Sequence, residues 1–179
     1  MKNVLILLSF LIIFAGCKKS IDALPEPTQY GANTFGLKLN GAFWVPQKFA
    51  GVNAPILKVQ LTGTNINDIM ITSQNFASEP LESQFTFYIK NVTGPGVYEL
   101  NQNTDIYPGV SGSYAYYVRR KINPLNEWIT SAQNTGSITI TKLDLTNNIV
   151  SGTFEFKAGS IDNSSEPITV TDGRFDISF

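Results

Sequence analysis

The sequence predicts an all-β domain, an antiparallel sandwich or open barrel of about nine to eleven short strands. Three observations carry this. Apolar residues recur at every second position along most of the chain, the period of a strand with one buried face. Glycine, proline, asparagine and aspartate interrupt those runs at short intervals, as turns require. No stretch long enough for three helical turns spaces its apolar residues by three and four, so helix is limited to a turn or two, placed near Glu79 to Ser83.

Taken in order, Lys18 to about Asn33 has no apolar period. Pro25 and Pro27 disfavour helix there and leave the chain extended, which reads as a tether over residues 17–33. Phe35, Leu37 and Leu39 then alternate with Gly36 and Lys38. Asn40-Gly41 supplies the two positive φ angles of a type I′ turn, and Ala42 to Val45 return as its partner strand. Leu57-Val59-Leu61, Ile69-Ile71 and Phe85-Phe87-Ile89 are three further alternating runs, bounded by Thr62-Gly63 and Gly94-Pro95-Gly96. After Pro108-Gly109, the stretch Tyr114 to Lys121 places Tyr116 and Tyr117 on opposite faces of one strand. Between Ile138-Ile140 and Leu143-Leu145 the phase slips by one, which predicts a β-bulge. Asn147-Asn148 predicts a second tight hairpin leading into Val150-Gly152-Phe154-Phe156. A polar loop from Gly159 to Pro167 precedes Ile168-Val170. Asp172-Gly173 reads as one more turn before the last strand, Phe175-Ile177-Phe179.

Composition narrows the function classes. With 179 residues, 42% apolar and 12% aromatic, the chain has enough core for one domain, placed at 34–179. Its 13 basic and 14 acidic side chains are interspersed, which argues against a nucleic-acid partner. There is a single cysteine, so no disulfide forms within the chain, and stability must come from packing. The absence of histidine removes Ser-His-Asp and Cys-His mechanisms and imidazole zinc ligands. What remains for catalysis is a carboxylate pair of the glycosidase type, with Glu79 and Glu82, Glu99 and Asp105, or Asp172 and Asp176 as candidates. Asp172 and Asp176 are better explained as a turn residue and a solvent-face residue. The oxygen-rich loop Asp162 to Glu166 lacks the spacing of a calcium-binding EF-hand, so neither a metal nor a cofactor is expected. Tyr116, Tyr117, Arg119 and Arg120 are the candidate ligand-binding residues, because tyrosine beside arginine can stack on sugar rings or hold an anionic group. Trp44 and Trp128 read as core or rim residues.

The first residues carry a different message. Lys2 precedes an apolar run from Val4 to Phe14, and small residues follow up to Cys17, the order of an export signal. That run rises only about 16 Å as a helix, roughly half of a hydrocarbon core. Phe14-Ala15-Gly16-Cys17 resembles the bacterial lipobox, which implies cleavage between Gly16 and Cys17 and lipidation of the Cys17 thiol. Residues 1–16 are then the signal peptide. Lipid chains contribute about 0.8 kcal/mol per buried CH₂, so a multiply acylated cysteine anchors a protein without a spanning helix. The closing Phe175 to Phe179 resembles the last strand of outer-membrane barrels, but the predicted strands are shorter than the nine to eleven residues needed to span.

A family resemblance rests on both ends of the domain. Gly31-Ala32-Asn33-Thr34-Phe35-Gly36, leading into Leu39-Asn40-Gly41 and Trp44-Val45-Pro46, resembles the opening of an uncharacterised family of small lipoproteins from Bacteroidetes-type Gram-negative bacteria. Ser151-Gly152-Thr153-Phe154-Glu155-Phe156 and Thr171-Asp172-Gly173-Arg174-Phe175-Asp176 resemble its close. The resemblance implies a lipid-anchored β domain at the outer membrane, on the periplasmic face or the cell surface, with no catalytic residues to carry over. The expectation is a non-catalytic envelope protein that binds a glycan, a peptide or an envelope partner, or serves a structural role. A carboxylate-dependent glycoside hydrolase and a transmembrane β-barrel are the alternatives.

Overall fold

The computed structural model describes residues 22–51, 53–63, 67–77, 82–120, 126–163 and 165–179. Cys17, the signal segment, Lys18-Lys19 and the residues around Glu79 lie outside these. Eleven strands and no helix are found among the described residues. They are β1 (Thr34–Leu39), β2 (Ala42–Trp44), β3 (Leu57–Thr62), β4 (Asp68–Asn75), β5 (Ser83–Ile89) and β6 (Gly96–Glu99). The rest are β7 (Tyr114–Arg119), β8 (Asn126–Ile129), β9 (Gly136–Asp144), β10 (Ile149–Ser160) and β11 (Ile168–Ser178). Ser83, at the end of the expected helical turn, already belongs to β5.

All named pairings are antiparallel. A front half runs β2-β1-β11-β10-β9-β6 and a back half β3-β4-β5-β7-β8. They join where Gly159 and Ser160, at the end of β10, pair with Ile129 and Trp128 of β8. Strand β10 is long enough to belong to both, so the sheet curls on itself into an open half-barrel. The curl wraps the alternating apolar residues of both halves around one core. Phe154 of the front half lies 4.6 Å from Phe87 of the back half and 5.3 Å from Phe35, ring centre to ring centre. Trp44 packs edge-on against Phe85 at 4.8 Å while its indole N–H donates to Ser83 Oγ at 3.0 Å, so its one polar atom is satisfied inside. Such aromatic pairs add about 0.5–1.5 kcal/mol each beyond their burial.

Local chemistry fixes several details. Asn40 and Gly41 take φ of 48° and 84°, the expected tight hairpin between β1 and β2. The expected bulge is present in β9: Ser151 pairs with Lys142 and Gly152 with Ile140, leaving Thr141 as the extra residue. The Asn147-Asn148 hairpin is wider than two residues. Asp144 accepts from the N–H groups of Thr146 and Asn147 and from the Asn147 side chain, which ties residues 145–148 into a four-residue turn.

Asp172-Gly173 is not a turn. Strand β11 runs straight through it, and the pairs Gly36–Arg174 and Lys38–Thr171 show one extra residue on β11. The same dipeptide that closes turns here forms a β-bulge, with Asp172 at φ 54°. Gly173 lies over Phe154: a Cβ there would stand 2.3 Å from the ring, a contact that only glycine avoids.

The outer face of the back half carries a second apolar layer of Tyr88, Tyr114, Tyr116 and Val118, with Val110 packed on it from the loop between β6 and β7. Tyr107 of that loop donates its N–H to Tyr114 Oη at 3.0 Å.

Candidate functional site

The outer face of the front half is polar because the alternation that buries Val150, Phe154 and Phe156 turns Ser151, Thr153 and Glu155 outward. One row of outward residues crosses all six strands. Phe43 of β2 stands opposite Lys38 of β1, and Lys38 opposite Thr171 of β11. The bulge sets Glu155 of β10 beside Thr171 and Asp172, and Glu155 pairs in turn with Ser137 of β9 and Ser137 with Glu99 of β6. A second row holds Thr139, Thr153, Arg174 and Gly36.

Two shallow hollows of about 460 and 580 Å³ lie on this face. Ser137 and Glu155 line both, so the two adjoin along this face and together make a shallow groove. Its floor is rich in hydroxyls, from Thr135, Ser137, Thr139, Thr153, Thr169 and Thr171. Arg174 and Asp172 line it from β11, Lys157 from β10 and Glu99 from β6. Lys38 Nζ lies 3.1 Å from Asp172 Oδ2 and 5.7 Å from the centre of the Phe43 ring. Its hydrogen bond, and then its charge, hold the Asp172 carboxyl below the usual range.

One wall of the groove comes from residues expected to be tether. Pro27 lines the hollow, Arg174 Nη1 donates to the carbonyl of Pro25 at 3.3 Å, and Gly36 leaves room for Leu24 and Pro25 to lie on the sheet. Further on, the strap is fastened to Asp176. That carboxylate accepts from Thr28 Oγ1 at 2.6 Å, the N–H groups of Tyr30, Gly31 and Ala32 at 3.1, 2.9 and 3.0 Å, and Ser151 Oγ at 2.7 Å. Asp176 is on the outward side of β11, as its alternation with Phe175 and Ile177 requires. It is nevertheless only 1% exposed, because the strap covers it. Burial pushes its carboxyl up, but the bonds from Ala32, Thr28, Ser151 and Gly31 outweigh that and hold it down at about 2.

The residues singled out from the sequence are placed elsewhere, and they do not share one surface. Tyr117 is 5% exposed and sits in the core, stacked on Phe85 at 4.4 Å and tilted against Trp128 at 5.4 Å. Tyr116 is on the outer face of the back half, 9% exposed, with its hydroxyl donating to Glu127 Oε1 at 2.8 Å. Burial first, then that bond, drives its hydroxyl well above the ordinary tyrosine range. Arg119 lies over the Trp128 ring at 6.0 Å and donates to Asn126, and Arg120 pairs with Glu82 at 3.3 Å and bonds Gln84. Trp128 is in the core, its N–H donating to the carbonyl of Glu166 at 2.9 Å. Asp162 accepts from Ser160 Oγ at 2.7 Å, and no three His, Cys, Asp or Glu side chains converge among the described residues. The groove residues had a signal in the sequence: they are the polar alternates of strands recognised by their apolar members.

The class is therefore an all-β half-barrel with a filled core, a polar groove on one outer face and an N-terminal strap walling it. A family model described as Domain of unknown function (DUF6252) matches residues 33–176, and the chain belongs to that family. No curated protein and no solved structure matches the chain.

Proposed function

We propose that the chain is a lipid-anchored protein of the Gram-negative outer membrane, of the Bacteroidetes lipoprotein type, held through Cys17. Its role is non-catalytic: it binds a polar envelope ligand, an oligosaccharide, in the groove on the front outer face. The observation that carries this is the groove floor, where hydroxyls of Ser137, Thr139, Thr153 and Thr171 stand between side chains of both signs. Hydroxyls and charged groups are the partners that sugar hydroxyls need, as donors and acceptors alike. Peptide and protein partners instead depend on apolar anchors filling pockets, whereas the side chains of this floor are mainly hydroxyls and charges, with the exposed apolar Phe43 and Val97 at its margins.

Three of the six candidate acids are already held by other groups, which favours binding over catalysis at those positions. Asp172 is paired with Lys38, Glu82 with Arg120, and Asp176 with five donors. The polar front face also weighs against a spanning barrel, whose outward band is apolar.

A glycan array probed with the wild type, Glu155→Ala and Arg174→Ala tests the site. Each lost hydrogen bond to a charged group costs about 1.5–3 kcal/mol, a tenfold or greater loss of affinity. Unchanged binding in both variants, or no glycan bound by the wild type, refutes the groove. The anchor has its own test: Cys17→Ser abolishes metabolic lipid labelling if Cys17 is the lipidated residue, and persistent labelling refutes it.

A further inference from the structure

The strap changes where the domain stands relative to its anchor. Residues 17–33 as a free tether would let the domain roam about 55 Å from the membrane. Instead the chain is fixed to the front face from Leu24 onward, by packing of Leu24 and Pro25 on Gly36, by the Arg174 bond to Pro25, and by the bonds from Thr28, Tyr30, Gly31 and Ala32 to Asp176. Only the stretch between Cys17 and Leu24 is left to span the gap, at most about 25 Å fully extended. A domain of this length is about 38 Å across.

The direction of the strap matters as much as its length. From Gly31, which abuts Ser178 and Ile149, it runs back over the sheet to Leu24 and Pro25 at Gly36, beside the row of Arg174 and Thr153. The chain therefore leaves the domain on the front face, over β1 beside the β2 edge and next to Arg174 of the groove. To turn the back half toward the membrane, the linker would have to pass around an edge and across the thickness of the domain, farther than about 25 Å.

We infer that the front outer face, with its groove, is apposed to the membrane that holds Cys17, and that the lipid headgroup layer is the surface it meets. This rests on the anchoring reading above. The mixed charges of that face, Lys38 and Arg174 beside Asp172 and Glu155, suit zwitterionic headgroups. The oligosaccharide taken by the groove is then one displayed at that surface.

The test uses the lipidated full chain in vesicles of phosphatidylethanolamine and phosphatidylglycerol carrying a headgroup-linked acceptor dye. A donor dye is attached to Phe43→Cys on the front face or to Tyr107→Cys on the back, sites 38% and 49% exposed in the wild type. Cys17 is the sole native cysteine and its thiol is occupied by lipid, so labelling is specific. Energy transfer from position 43 is expected to exceed that from position 107 by more than about twofold, given the width of the domain. A Gly/Ser insert of about 30 residues between Lys19 and Ser20, with a mean span of about 30 Å, is expected to erase the difference. Equal transfer from both positions without the insert, or stronger transfer from 107, overturns the inference and leaves the anchor standing. Absence of transfer from either position overturns the anchoring reading and the inference with it.

Discussion

Replacing Asp176 by Asn removes the charge that fastens the strap, and the structure sets the size of the effect. The carboxyl is held at about 2 against an ordinary 3.8, a difference on the order of 2–3 kcal/mol in favour of the folded state. Because the folded value is the lower one, that contribution is present above about pH 4 and is lost as the pH falls toward 2. The side chain introduced by Asp176→Asn keeps one acceptor oxygen but turns an amide toward donors already aimed at the site. The expected loss at pH 7 is therefore about 2–4 kcal/mol. Guanidinium titrations followed through Trp44 and Trp128, both in the core, measure the global part. Hydrogen exchange measures the local part: the amides of Tyr30, Gly31 and Ala32 are expected to exchange roughly 50- to 100-fold faster in the variant. Undiminished protection of those amides at pH 7 would refute the fastening role of the carboxylate. So would a variant that retains the wild type's loss of stability between pH 4 and pH 2.

Three further outcomes rest on single contacts. Tyr88→Phe removes the hydroxyl that donates to Asp68 Oδ2 at 2.7 Å and is expected to cost about 1–2 kcal/mol, read by thermal unfolding. Burial, then the bond to Asp68, pushes the Tyr88 hydroxyl up to about 12, so stability is full below pH 10 and declines between pH 10 and 12; ultraviolet titration should lack that late step in the Phe variant. Gly173→Ala forces a Cβ against the Phe154 ring and carbonyl, at 2.3 and 2.6 Å, and is expected to lower stability by about 1–3 kcal/mol, with an unchanged midpoint refuting the bulge geometry. Phe154→Ala empties the centre of the aromatic core between Phe35, Phe87 and Phe175 and is expected to cost about 3–5 kcal/mol by denaturant titration.

The parts of the fold that are legible in the sequence are those decided locally. Asn40-Gly41 has one economical backbone solution, and the slip between Ile140 and Leu143 has one explanation in a strand pair. Asp172-Gly173 reads as a turn but forms a bulge because both ask for the same residues; which one forms depends on the partners Gly36 and Phe154, far away in the chain. Strands β6 and β8 have four residues each, too few to show a period, and exist because β9 and β7 supply their partners. The strap is invisible for a different reason. It binds through backbone N–H groups to one carboxylate, so it has no apolar period to detect. The alternation of its strand points Tyr116 toward solvent, but the outer face of the back half is covered by its own apolar layer. The groove is half legible: its polar alternates are in the sequence, while the wall that encloses them depends on Asp176.

What the front face binds is the central question, and amide chemical shifts answer it most directly. The isotope-labelled protein is titrated with oligosaccharide released from Gram-negative outer membranes. Saturable shifts are predicted at Ser137, Thr139, Thr153, Glu155 and Arg174, with the back-face loop around Tyr107 unmoved. Shifts centred on that loop, or none that saturate, would contradict the proposed groove.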